Sequence, residues 1–96
     1  MRRAYLVCYD IRDPKRWRKV FRLMKGHGEH WQYSVFFCVL REIDRVRLQT
    51  ALEESLDLHE DQCLIMDLGP DELAARDACT VLGPRLPDAR AGVVVI

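Results

Sequence analysis

Asp10 closes a short, continuously apolar run, Ala4–Tyr9, and a strongly cationic stretch begins a few residues later. That arrangement suits phosphate chemistry. A carboxylate is a hard oxygen donor, and Mg or Mn held by few carboxylates and several waters can activate water for attack on phosphorus. One carboxylate per chain is thin for such a site; two copies brought together by a dimer axis make a more credible one. The plain alternative is that Asp10 caps a turn or pairs with Arg12 or Arg16. Between Lys15 and Lys25 lie six cations and no acid. Arg16, Arg18, Lys19 and Arg22 are candidates for holding phosphates, because guanidinium forks match phosphate oxygens. Such contacts give affinity and salt dependence with little sequence specificity. A solvated surface helix is the competing reading.

Other chemistry-bearing residues point more weakly. His27-Gly28-Glu29-His30 lies in a glycine-bracketed loop, where two imidazoles are not fixed on one face, so it reads as a turn rather than a zinc site. His59 has no obvious partner. Trp17, Trp31 and Tyr33 are able to stack on bases, but all three sit at core-facing periodicity and read as packing residues. Ser34 has no GxSxG context, and there is no glycine-rich phosphate loop. Cys8, Cys38, Cys63 and Cys79 are 30, 25 and 16 residues apart. That spacing contains no CxxC, and three of the four fall in apolar strand-like runs, where cysteine behaves as a small hydrophobe.

The elements that must position Asp10 and the cations follow from periodicity. Ala4–Tyr9 reads as a strand buried on both faces. Asp13-Pro14 is a helix start, with Asp as N-cap and Pro at the first position. Trp17, Val20, Phe21 and Met24 then form one apolar stripe, and Lys15, Arg18, Arg22 and Lys25 form another. Gly26 supplies the stop. Glu29–Leu40 is strand-like throughout, either one bent strand or two short strands joined by a tight turn. A second helix spans roughly Ile43–Leu56, with Asp44 as candidate cap. Gln62–Leu68 is a further strand, Asp71–Ala78 a short helical turn, and Gly92–Ile96 a terminal strand. The order βαββαβ, with an extra C-terminal strand, is the ferredoxin-like α+β arrangement, two helices covering one face of an antiparallel sheet. The other face needs a cover, and a symmetric partner is the economical one. The flat apolar strand at the C-terminus needs the same treatment, by docking on that partner.

Length and composition frame these readings. Ninety-six residues make one domain, spanning residues 1–96, with a single modest core. Apolar residues make up 49% and charged residues 31%, and no apolar run approaches a membrane span. No signal peptide is visible, which points to a cytoplasmic location. Net charge is zero, yet residues 1–50 hold 12 Lys/Arg against 5 Asp/Glu, and residues 51–96 hold 3 against 10. A dipolar chain of this kind either offers a local basic patch to a polyanion or neutralises its halves across the fold.

Tyr9-Asp10-Ile11-x-Asp13-x-Lys15-Arg16-x-Arg18-Lys19-Val20, Gly28 at the end of the next loop, and Gln32-Tyr33-Ser34-Val35-Phe36 strongly resemble the CRISPR-associated protein 2 family. Asp61-x-x-x-Ile65, Val81-Leu82-Gly83 and the hydrophobic C-terminus match more loosely. The resemblance implies a ferredoxin-like homodimer whose C-terminal segment, about residues 79–96, docks on the partner. It implies a role in CRISPR spacer acquisition, bridging dimers of the integrase, CRISPR-associated protein 1, and holding double-stranded DNA. It also implies metal-dependent endonuclease activity on RNA or DNA, with Asp10 as the metal-binding catalytic residue and Tyr9, Arg16 and Arg18 near it. Trp17, Trp31 and the run Phe37-Cys38-Val39-Leu40 depart from the family pattern, the last replacing interleaved acids, which implies different partner contacts. A ferredoxin-like toxin-type ribonuclease or a small-molecule regulatory module is the alternative reading.

Overall fold

Alternation along the first strand, β1 (Arg2–Asp10), sorts its side chains onto two faces. Tyr5, Val7 and Tyr9 enter the main core, while Ala4 and Leu6 pack on the opposite side. The computed structural model describes residues 1–84; the expected terminal strand 92–96 and most of the docking segment 79–96 lie outside the described residues. After β1 come α1 (Pro14–Lys25), β2 (Glu29–Gln32), β3 (Val35–Arg41), α2 (Glu42–Ser55), β4 (Gln62–Gly69) and α3 (Glu72–Ala78). The strands lie in the order β2-β3-β1-β4, all pairs antiparallel. This is the expected ferredoxin-like sheet, and the stretch from Glu29 to Leu40 resolves into two strands joined at Tyr33-Ser34.

The main core lies between the sheet and the helices α1 and α2. Val7, Val20, Met24, Phe36, Cys38 and Leu48 are fully buried there. Asp13 caps α1 as its sequence predicts, its carboxylate accepting from the Arg16 amide at 3.0 Å. Asp44 does not cap α2: the helix starts at Glu42, and Asp44 instead accepts from the Arg41 guanidinium at 2.7 Å. The turn between α1 and β2 passes tightly under β3. A Cβ on Gly28 would collide with Cys38 Sγ and lie 2.7 Å from the Phe37 carbonyl oxygen, so only glycine fits.

The opposite sheet face is covered at one end by α3. Ala75 packs on Ala4 and Phe37, with Leu6, Trp31, Val39 and Leu68 around them. Arg76 reinforces this cover: its guanidinium sits 4.5 Å from the Phe37 ring centroid and donates to Glu29 at 3.0 Å. The other end stays open. There Cys8 lies between Val35 of β3 and Leu64 of β4, with Met66 one row away. Leu64 keeps 48% of its surface exposed.

Candidate nucleic-acid interface

Four features converge at the end of the sheet where β1 finishes. Asp10, the last residue of β1, pairs in register with Gln62, the first of β4. The Tyr9 amide donates to the Ser34 carbonyl at 3.1 Å, which ties the β2–β3 turn to the same strand end. α1 starts four residues after Asp10, so its first turns lie there too. Alternation places Asp10 on the face that α1 and α2 leave open, on the same side of the sheet as Leu6 and opposite Tyr9. Its carboxylate is exposed and takes no hydrogen bond or ion pair among the described residues.

Tyr9 has a different role. It is 6% exposed and packs against Phe36, ring centroids 6.3 Å apart, and against Trp17 at 6.5 Å. Its buried hydroxyl has no hydrogen-bond partner among the described residues, and burial pushes its pKa up to about 12. Tyr9 is therefore a core residue that anchors the strand end, with its neighbour Asp10 facing outward.

The cations of α1 divide into two groups. Arg16 points toward α2 and β4, where its guanidinium donates to Asp61 at 2.8 Å and to Glu60 at 3.0 Å. Asp61 is the centre of this knot: its side chain is fully buried, and it also accepts from the Asp57 amide at 2.9 Å. The Arg16 hydrogen bond holds the Asp61 carboxyl below the usual carboxylate range, against the opposing effect of desolvation, with the Asp57 and Arg12 amides assisting. Asp61 thus fastens the first turn of α1 beside the Asp10–Gln62 pair. Lys15, Arg18, Lys19 and Arg22 are exposed and make no ion pair among the described residues. Of the four arginines and lysines expected to hold phosphate, the fold therefore occupies Arg16 and leaves Arg18, Lys19 and Arg22 on the surface. The charge asymmetry of the sequence is partly cancelled across the fold, through Arg3–Asp67, Arg16–Glu60 and Arg16–Asp61, but not along the outer side of α1.

The aromatic residues also separate. Trp31 stacks on Phe37 at 4.9 Å beneath the α3 cover and is a packing residue, as its periodicity implies. Tyr33 corrects the core reading: it occupies the turn and is 71% exposed. Strand alternation does not extend through a turn, so Tyr33 escapes the core that Trp31 enters.

Among the described residues no group of three or more His, Cys, Asp or Glu is placed to hold a metal. Burial pushes the Cys38 thiol up to about 12 and that of Cys63 to about 11, so both stay protonated near neutral pH and act as apolar side chains. Asp10 is an oxygen donor of the type that magnesium or manganese takes, but one chain supplies a single carboxylate.

Residues 3–75 match the family model for CRISPR associated protein Cas2. The chain belongs to the Cas2 family. It is 51% identical over 69 residues to a CRISPR-associated endoribonuclease Cas2 of Rhodospirillum rubrum, covering 72% of this chain and 68% of that protein. A CRISPR-associated endoribonuclease Cas2 of Thermodesulfovibrio yellowstonii is 39% identical over 88 residues, 92% of this chain and 93% of the relative. Among solved structures, Cas2 of Streptococcus pyogenes aligns with a TM-score of 0.72 at 26% identity, over 83% of this chain and 99% of that one. A hypothetical protein, TT1823, from Thermus thermophilus aligns with a TM-score of 0.77 at 33% identity, over 92% and 99%. The Cas2 match spans all six elements from β1 to β4, and so includes Asp10, the α1 cations and the Asp61 knot. No helix among the described residues is long and apolar enough to cross a membrane.

Proposed function

We propose that this Cas2-family chain works as a homodimer that cleaves phosphodiester bonds with the help of a divalent metal, Mg or Mn, held between the Asp10 residues of two copies. The observation that carries this reading is the position of Asp10. It is an exposed carboxylate at the end of a central strand, on the sheet face left open, beside the half-exposed Cys8, Leu64 and Met66. An apolar patch next to an acid favours self-association that brings two carboxylates toward one seam. A bound divalent ion would polarise a phosphate oxygen and lower the pKa of a water. The protein's own part is threefold. Asp10 supplies the anionic oxygen donor, Arg18, Lys19 and Arg22 hold the backbone of the nucleic acid, and Asp61 keeps α1 in place. The similarity to CRISPR-associated endoribonucleases supports hydrolysis of RNA.

A second reading is favoured by the exposed cations of α1, which are spaced along a helix and suit the backbone of a double-stranded nucleic acid. In it the dimer is an adapter that holds DNA for the CRISPR-associated protein 1 integrase during spacer acquisition in the cytoplasm. The two readings separate on Asp10→Ala. Under the first, metal-dependent cleavage falls to background while duplex binding, measured by gel shift, is retained. Unchanged cleavage by Asp10→Ala sinks the nuclease. Spacer acquisition that persists in cells carrying this variant supports the adapter, and its loss with dimerisation intact counts against a purely structural role.

A further inference from the structure

We propose that Tyr33, backed by Trp17, is a stacking platform for an unpaired nucleobase of a single strand whose phosphates run along Arg18 and Arg22. The proposal rests on the nucleic-acid reading above and extends it to a base-contacting site. Tyr33 lies flat on Trp17, centroids 4.5 Å apart and planes 18° from parallel. Trp17 in turn stacks on Phe21 at 5.0 Å and 13°. With one ring face on Trp17 and 71% of its surface exposed, Tyr33 presents its other face to solvent.

A large exposed aromatic ring is normally mobile, but this one lies on Trp17 and projects from a turn that is itself tied down. Trp17 Nε1 donates to Ser34 Oγ at 3.0 Å, the Ser34 carbonyl accepts from the Tyr9 amide at 3.1 Å, and His30 Nε2 lies 3.4 Å from the Tyr33 carbonyl oxygen. A ring ordered before binding loses little entropy when a base settles on it.

The surroundings suggest what the ring meets. At 100° per residue, Arg18, Arg22 and Lys25 fall on the solvent side of the Trp17–Phe21 stripe, while Arg16 falls on the side facing α2. Lys25 Nζ sits 5.5 Å from the Phe21 centroid. An open aromatic face flanked by unpaired cations is the pattern that binds single strands, with stacking on the base and charge on the backbone. Bases in a duplex are stacked on one another and cannot offer a free face at mid-strand. A second copy of the chain is a poorer occupant, because Tyr33 leans on α1 and the open sheet face lies on the other side.

The test is fluorescence anisotropy with a short labelled oligothymidylate, in a chelator so that no cleavage occurs. The same backbone carrying abasic sugars is measured in parallel. The expected result is that Tyr33→Ala weakens oligothymidylate binding by on the order of 10-fold. Tyr33→Phe retains affinity, since the ring alone stacks, and the abasic strand binds weakly and equally to all three proteins. Arg18→Glu with Arg22→Glu lowers both strands together. Equal affinity of wild type for the thymidylate and abasic strands overturns the platform alone. Failure of both strands to bind at low salt overturns the nucleic-acid reading itself.

Discussion

The two faces of this sheet are built to different standards of completion. On the side of α1 and α2, Val7, Val20, Met24 and Phe36 exclude water entirely. On the other side, α3 seals one end around Phe37 and Trp31 but leaves Cys8, Leu64 and Met66 partly wet beside Asp10. The closed face fixes the fold, and the open one leaves apolar surface beside an unpaired carboxylate.

Substitutions sharpen this contrast in order of expected size. Phe36→Ala on the closed face leaves a large cavity among residues that cannot collapse, and is expected to cost about 3–5 kcal/mol in urea unfolding. A cost below about 1 kcal/mol would mean that the helix side is not the main core. Asp61→Asn comes next. It removes the buried charge that Arg16 and the Asp57 amide serve, lowering Tm at neutral pH by roughly 10 °C. The folded Asp61 carboxyl titrates below its unfolded value, so its stabilisation is fully present above about pH 4 and is lost as pH falls through the lowered folded value. The wild type should therefore lose more stability than Asp61→Asn on acidification below about pH 4; parallel pH profiles would show that the knot contributes nothing. Leu64→Glu on the open face has the smallest effect on unfolding, within about 1 kcal/mol, yet is expected to convert a sedimenting dimer to monomer. A dimer that survives this change would move self-association to another surface.

Much of this was legible in the sequence. Asp13-Pro14 marked the start of α1, the continuous apolar run Ala4–Tyr9 marked a strand with both faces covered, and the acid ending it marked the candidate site. What remained hidden depended on distant contacts or on breaks in periodicity. Arg16 and Asp61 lie 45 positions apart, and the periodicity that puts Arg16 and Arg18 on different sides of α1 does not say on which side the second helix and β4 close. Tyr33 was masked because a period of two was carried through a two-residue turn, where it no longer holds. Asp71–Ala78 read as a short helical turn, which α3 bears out, but nothing local showed that its Ala75 and Arg76 contribute the cover on Phe37 that a partner was expected to supply alone.

Tyr9 and Asp10 are consecutive on a pleated ribbon, so one cannot rotate without the other. Sliding β1 by a single register step would evict a buried phenol into water and drive an acid into hydrocarbon, both at once. The buried anchor and the exposed carboxylate are thus locked to one parity, and a slip of one residue would forfeit both.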